Sequence, residues 1–148
     1  MDDRKAIEEL IERQFNALSW DENRDGDWSG FASDFVDGAQ LFASARPVKS
    51  QSVDQFVGRM QGLSKSSLPE LQERFLGRRI EVYGNVAVAM AVCELIENKE
   101  KVSCNVEALL LVKEDGQWRI ASQAWDTAKD VAAAQALWSD IHASDKQQ

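Results

Sequence analysis

Hydrophobic and polar positions alternate most clearly between Val102 and Thr127, on both sides of Asp115 and Gly116. Alternation around an Asp-Gly pair predicts a β-hairpin with a tight turn. On the first arm Cys104, Val106, Ala108, Leu110 and Val112 share one face, and Ser103, Asn105, Glu107, Leu109 and Leu111 share the other. Both faces are apolar near residues 109–112, so both must be covered there. We expect helices of the same chain to cover one face and a second subunit to cover the other.

Three segments before this hairpin have helical spacing of apolar residues. The first begins at a cap on Asp2 or Asp3 and ends near Ser19. The second is short, carries Phe31 and Phe35, and is predicted to close at residues 37–38, where Asp-Gly is typical of a helix end. The third begins at a capping box formed by residues 52–55, and it turns Val53, Phe56, Val57, Met60 and Leu63 inward.

The remaining segments favour strands and one last helix. Residues 39–43 predict a short strand, residues 70–83 a long one, and the apolar run after the Gly-Asn turn at 84–85 a third that ends in a turn at 98–101. After Thr127 the residues Val131, Ala134, Leu137, Trp138 and Ile141 repeat at helical spacing. The predicted organisation is one α+β domain, residues 1–128, followed by a C-terminal helical extension and tail, residues 129–148.

Composition excludes several classes of function. The formal charge is −8 and no basic stripe is visible, which argues against nucleic-acid binding. The chain opens on an acidic amphipathic segment and has no apolar run able to span a membrane, so neither a signal peptide nor membrane insertion is expected. The two cysteines are expected to be reduced, which is typical of a cytoplasmic protein.

Two stretches, GDWSGFASDFVDGAQLF early and DGQWRIASQAW late, resemble the nuclear transport factor 2-like superfamily and, within it, the SnoaL-like and ketosteroid-isomerase-like branch. The resemblance runs from about residue 6 to residue 127. It implies a cystatin-like, cone-shaped roll in which three N-terminal helices pack on a curved, mostly antiparallel sheet. It also implies a pocket inside the cone and a homodimer formed through the sheet face.

The resemblance is specific for fold and not for activity. Steroid isomerases of this type use a carboxylate base, a protonated acid and a tyrosine. Matching the two stretches without gaps places Ala43 at the base position, Ala108 at the acid position and Phe15 near the tyrosine position. All three residues are apolar, so we do not expect a ketosteroid isomerase of the familiar mechanism.

The same match assigns Cys104, Ala108, Gln123 and Trp125 to the pocket side of the sheet, with Gln123 as its strongly polar member. Trp28 at the end of the preceding polar loop, Phe31 of the second helix and Arg74 at the rim complete the predicted ligand-binding set, Arg74 as a partner for a carboxylate. Asp34 is the one candidate general acid or base. Each has a structural alternative: core packing for the aromatic residues, a hydrogen bond within the sheet for Gln123, and an exposed surface position for Asp34 and Arg74.

Neither a metal nor a cofactor is predicted. His142 is the only histidine, and no Cys-x-x-Cys or His-x-x-x-His pair is present. The eight glycines are scattered and form no phosphate-binding loop.

Two hypotheses remain open. The first is a binding pocket for a small, apolar or polyketide-like ligand, with a lyase or isomerase activity. Small residues at positions 89, 91, 108 and 121 would leave room for it. The second is a non-catalytic dimeric interaction module whose pocket is filled by its own aromatic side chains.

Overall fold

A computed structural model describes residues 2–129 and residue 132. The predicted C-terminal helix and His142 lie outside the described residues. Three helices, α1 (Asp3–Ala17), α2 (Trp28–Ser33) and α3 (Val53–Ser64), pack on one face of a six-stranded mixed sheet. The strands are β1 (Phe35–Phe42), β2 (Ser50–Ser52), β3 (Leu71–Tyr83), β4 (Val86–Glu97), β5 (Lys101–Glu114) and β6 (Gln117–Thr127), in the order β2-β1-β6-β5-β4-β3.

The helix caps form as the sequence predicts. The Asp2 side chain accepts a hydrogen bond from the backbone N–H of Lys5, which starts α1. Ser52 and Gln55 form a reciprocal capping box at the start of α3. These caps satisfy backbone donors that have no partner within the helix. They fix where α1 and α3 begin and therefore which residues face the sheet.

The four long strands form the predicted antiparallel meander. Asp115 and Gly116 have φ values of +53° and +77°, the pair of positive values that a type I′ hairpin turn requires. One pairing is parallel, between β1 and β6. The sheet is therefore mixed, and β1, from the first third of the chain, lies beside β6, the last described strand.

The second helix and the first strand divide the chain differently from the prediction. The α2 helix ends at Ser33 with Asp34 as its C-cap, and Phe35 already belongs to β1. Gly38 has a φ of +80° inside the strand, where the register against β6 shifts. The Asp-Gly pair marks a strand irregularity and not a helix end, because the same positive φ serves both structures.

We call the helix-covered side of the sheet its inner face and the opposite side its outer face. At one end of the inner face the core is closed, and α1 seals it with three fully buried residues, Ile7, Leu10 and Ile11. Toward the other end the helices stand away from the strands and leave a cavity. The outer face is described below.

Candidate functional site

The cavity has a volume of about 330 Å³ and is bordered by all three helices and five of the strands. Its lining is mostly apolar, with polar groups concentrated at the sheet. The residues that carry the argument below are Gln14, Phe31, Phe56, Arg59, Glu73, Asn105, Glu107, Gln123 and Trp125. An apolar hollow with a few convergent polar groups is the usual form of a small-molecule site.

A chain of three aromatic side chains forms one wall. The ring centroids of Phe31 and Phe56 are 5.3 Å apart, and those of Phe56 and Trp125 are 5.6 Å apart in an edge-to-face arrangement. Phe31 comes from α2, Phe56 from α3 and Trp125 from β6. The wall therefore depends on both short helices being packed against the sheet, and it offers flat apolar surface to a ligand.

The inner end of the cavity holds a buried polar network. Gln14 and Gln123 exchange two side-chain hydrogen bonds, of 2.7 Å from Gln14 Nε2 to Gln123 Oε1 and 3.0 Å from Gln123 Nε2 to Gln14 Oε1. Gln123 Nε2 also donates to Glu107 Oε1 at 2.7 Å. All three residues are buried. Buried polar groups are held by such partners, and here the partners orient the Glu107 carboxyl.

Glu107 is the titratable group of greatest interest. Burial raises the pKa of its carboxyl to about 7, and the hydrogen bonds from Gln123 and Asn105 oppose that shift by stabilising the charged form. A carboxyl with a pKa near neutrality accepts and releases a proton without a large driving force. The ordinary pKa of glutamate would leave it ionised at neutral pH.

A second carboxyl, on Glu73 of β3, also lines the cavity. Burial raises its pKa well above the usual range, and the negative charge of Glu107 raises it further. The Cys93 thiol lies 3.9 Å from Glu73 Oε1, and burial together with the two carboxylates raises the pKa of that thiol. Cys93 is therefore an unreactive thiol, whereas burial and the charge of Glu107 both favour the protonated form of Glu73.

Three of the predicted ligand-binding residues lie at the cavity: Trp125, Gln123 and Phe31. Whether they bind a ligand stays a prediction. Trp28 does not line the cavity. Its ring packs on Trp20 with centroids 5.2 Å apart, and it contributes to the wall of the core beneath the loop that precedes α2.

The predicted face of β5 was wrong. Asn105, Glu107, Leu109 and Leu111 are on the inner face, whereas Ala108 is exposed on the outer face and Cys104 packs there against Val92. The cause of the wrong prediction is a β-bulge in β6. Leu110 pairs with Ser122 and Leu111 with Ile120, so Ala121 is left over, and after it Gln123 and Trp125 lie beside Leu109 and Glu107 and not beside Ala108. Gln123 is consequently not the only strongly polar side chain on the pocket side.

Arg74 and Asp34 also lie away from the cavity. Arg74 is on the outer face, where its guanidinium forms a 2.9 Å ion pair with Glu94. Asp34 forms a 2.9 Å ion pair with Arg13 of α1 and borders a separate surface hollow. Its role is structural, since it also ends α2 and its carbonyl accepts a hydrogen bond from Ile120.

Glu107 and Glu73 escaped the sequence analysis because isolated charged residues are expected at the surface. The signal for Glu107 was present. It is the single carboxylate in the apolar run of β5 from Val106 to Val112, two positions before Leu109 on the face that the helices cover. Glu73 had no comparable signal, since charged residues flank it on β3.

Among the described residues, no group of three or more His, Cys, Asp and Glu side chains has the arrangement of a metal site. No helix in that part of the chain is long and apolar enough to cross a membrane.

Comparison with known proteins identifies the fold. A family model described as a SnoaL-like domain matches residues 7–125. An NTF2-like protein with a cystatin-like fold from Novosphingobium aromaticivorans is 16% identical with a TM-score of 0.71, covering 91% of this chain and 88% of its own. A putative scytalone dehydratase from the same species is 18% identical with a TM-score of 0.68, covering 84% of this chain and 83% of its own.

An uncharacterised protein with a cystatin-like fold from Caulobacter vibrioides is 17% identical with a TM-score of 0.67, covering 90% of this chain and 94% of its own. The curated proteins contain no match. At such identities the solved structures establish the cystatin-like, NTF2-like fold and carry no assignment of activity.

Proposed function

Because the chain belongs to the SnoaL-like domain family of the NTF2-like superfamily and encloses a cavity between its helices and sheet, we propose that this protein binds a small, largely apolar carbonyl compound and catalyses proton transfer on it. The single observation that carries the proposal is the pair of carboxyls, Glu107 and Glu73, that line an open apolar cavity.

The two carboxyls support different roles. Two acids that face one cavity do not ionise together, because each negative charge opposes the other. Hydrogen bonds from Gln123 and Asn105 favour the charged form of Glu107, whereas the negative charge of Glu107 raises the pKa of Glu73, so Glu107 is the proton acceptor. Glu73 stays protonated and donates a hydrogen bond. This division resembles other enzymes in which unlike environments separate two acids.

The reaction class follows from these roles. The Glu107 carboxylate removes a proton from a carbon next to the ligand carbonyl, and the protonated Glu73 stabilises the negative charge that develops on the carbonyl oxygen. Return of the proton to a different carbon gives an isomerase, and loss of a neighbouring hydroxyl as water gives a lyase. One of the similar structures is named a putative scytalone dehydratase, and a dehydratase is a lyase that releases water.

An exchange experiment tests the proposal without knowledge of the natural substrate. Small aromatic and alicyclic ketones would be incubated with the protein in D₂O, and loss of the α-proton followed by NMR. We expect at least one compound to exchange faster with the wild type, with a rate that rises as pH passes about 7 and Glu107 ionises.

The Glu107→Gln variant should lower the enzymatic exchange rate by roughly 10²-fold or more. Glu100→Gln, an exposed glutamate in the β4–β5 turn, is the matched control and should behave as the wild type. Equal exchange by wild type and Glu107→Gln for every ketone would contradict a catalytic role. Saturable binding of ketones without proton exchange would show that the protein binds such compounds and does not catalyse proton transfer on them.

A second function, self-association, is favoured by the outer face of the sheet. Val86, Val88, Met90 and Leu110 are 51%, 53%, 39% and 45% exposed there, and their strands β4 and β5 are central neighbours. Exposed apolar residues in such a cluster mark an interaction surface. We propose that a second copy of the chain covers it, forming a homodimer.

The charges beside the cluster suit a two-fold interface. Arg79 and Glu81 lie on β3 across from Met90 and Val88 and form a 3.3 Å ion pair with each other, so they add no net charge that would repel a second copy. Sedimentation of the wild type should give twice the monomer mass, and Leu110→Lys should give the monomer mass. A monomeric wild type would reject the dimer and leave the cavity proposal untouched.

A further inference from the structure

The mouth of the cavity differs in charge from the rest of the protein. The segment between Gly38 and Pro69, which supplies the second half of β1, β2 and α3, contains four basic residues and one acidic residue, Asp54. The whole chain has 17 basic and 25 acidic residues and a formal charge of −8. One side of the cavity is therefore locally positive in an otherwise acidic molecule, which raises the local concentration of anions there.

Two of these basic residues are placed to meet a ligand. Arg59 of α3 lines the cavity and also an adjoining hollow of about 430 Å³, which shares Ala43 and Ala45 with it. Lys49 lines the hollow as well, and no acidic side chain does. Neither Arg59 nor Lys49 forms an ion pair within the part of the chain that the structure describes.

The polar groups inside the cavity therefore differ in kind from those at its mouth. Inside are neutral amides and carboxyls that are held at least partly protonated, which would reject a bare anion. At the mouth are two cations: Arg59, about one helix turn from the aromatic wall because it follows Phe56 by three positions on α3, and Lys49, which lines the adjoining hollow. The acidic residue that lines the mouth is Glu97, at the end of β4. Its Oε2 lies 3.8 Å from the Nζ of Lys101.

We infer that the ligand is an amphipathic organic acid: its carbonyl end enters the cavity, its apolar body lies along the aromatic wall, and its carboxylate stays at the mouth against Arg59 and Lys49. The inference rests on the proposed function and adds the substrate class. An Arg guanidinium pairs with a carboxylate through two parallel hydrogen bonds, and the adjacent lysine adds a point charge.

Two fluorescent probes with one ring skeleton test the inference. N-phenyl-1-naphthylamine is neutral, and 8-anilinonaphthalene-1-sulfonate carries an anionic group that stands in for the carboxylate. Both would be titrated into wild type, Arg59→Gln, Lys49→Gln and the double variant. Lys65→Gln is the matched control, because Lys65 caps the far end of α3 and lines neither hollow.

We expect the wild type to bind the anionic probe more tightly than the neutral one. Each charge removed should weaken the anionic probe about fivefold and leave the neutral probe unchanged. Raising the NaCl concentration should have the same selective effect. A pair of competitors, 5-phenylpentanoate and its amide, should show the same preference for the acid.

The outcomes separate the inference from the proposed function. Ala43→Trp would fill the shared part of the two hollows and should abolish saturable binding of both probes. If both probes bind in the cavity but none of the charge variants discriminates between them, the anionic ligand class is wrong and the pocket survives. If Ala43→Trp leaves binding unchanged, or if neither probe shows saturable binding, the pocket itself and the inference both fail.

Discussion

The inner face of β5 has two halves that follow the same alternation and meet opposite surroundings. Leu109 and Leu111 are buried beneath α1 in the closed part of the core. Asn105 and Glu107, on the same face and nearer the start of the strand, border the cavity. The closed half contributes apolar burial to stability, whereas the cavity half gives up some burial and encloses a carboxyl at an energetic cost. One half of this face therefore contributes to stability, and the other half, on the same strand, provides the proposed chemistry.

Substituting the closed half should have the largest effect on stability. Leu111 is fully buried, and Leu111→Ala removes three carbon atoms and leaves a cavity, so we expect a loss of about 4 kcal/mol in the free energy of unfolding. Urea denaturation measures it. The matched control is Val102→Ala at the start of β5, whose side chain is 53% exposed and whose loss should be much smaller. Equal losses would mean that the closed half contributes no special stability.

Substituting the cavity half should change how stability depends on pH. The folded protein holds the Glu107 proton up to a pKa of about 7, above the ordinary glutamate pKa of 4.5. The unfolded chain therefore loses this proton first as pH rises. The free-energy cost of burying the charged Glu107 carboxylate is therefore absent below pH 4.5, grows between pH 4.5 and 7, and then stays constant. It lowers the free energy of unfolding by the same amount.

The Glu107→Gln variant should consequently gain about 3 kcal/mol relative to the wild type at pH 8 and little at pH 4. Urea denaturation at several pH values gives the difference between the two proteins. The Glu100→Gln control should track the wild type throughout. A difference that does not depend on pH would show that Glu107 has an ordinary pKa and would remove the basis for its role as an acceptor at neutral pH.

The smallest of the three effects should come from the network that joins the halves. Gln123→Leu removes the partner of Gln14 and of Glu107 and should cost about 2 kcal/mol, because two buried polar groups lose a hydrogen bond. It should also raise the pKa of Glu107, since the bond from Gln123 lowers it. Infrared titration of the carboxyl measures that shift, and Ser122→Ala is the neighbouring control. An unchanged carboxyl titration would contradict the proposed orientation of Glu107.

The sequence predicts the fold more fully than the site, for physical reasons. Periodicity and turn residues are local, so the hairpins around Asp115-Gly116 and Gly84-Asn85 and the capping box at Ser52 follow from short segments. The face of β5 does not follow. Residues 109–112 are apolar on both sides, and the bulge at Ala121 changes the phase of β6. That one extra residue in β6 turns Gln123 and Trp125 to the face that Glu107 and Leu109 share. Unbroken alternation would instead pair Gln123 with Ala108, which assigns the wrong face of β5 to the cavity.

The parallel pairing of β1 with β6 has a consequence for folding order. The hairpins of β3 to β6 join strands that are neighbours in the chain. By contrast, β1 pairs with β6 across a long intervening segment, as the pairing of Leu41 with Gln123 shows. Contacts between distant residues form late because closing a long loop costs entropy before any contact compensates for it. The cavity needs β1 and α1 in place beside the finished meander. We therefore expect amide hydrogens of β1 to gain protection last during refolding and those of the β4–β5 hairpin to gain it first.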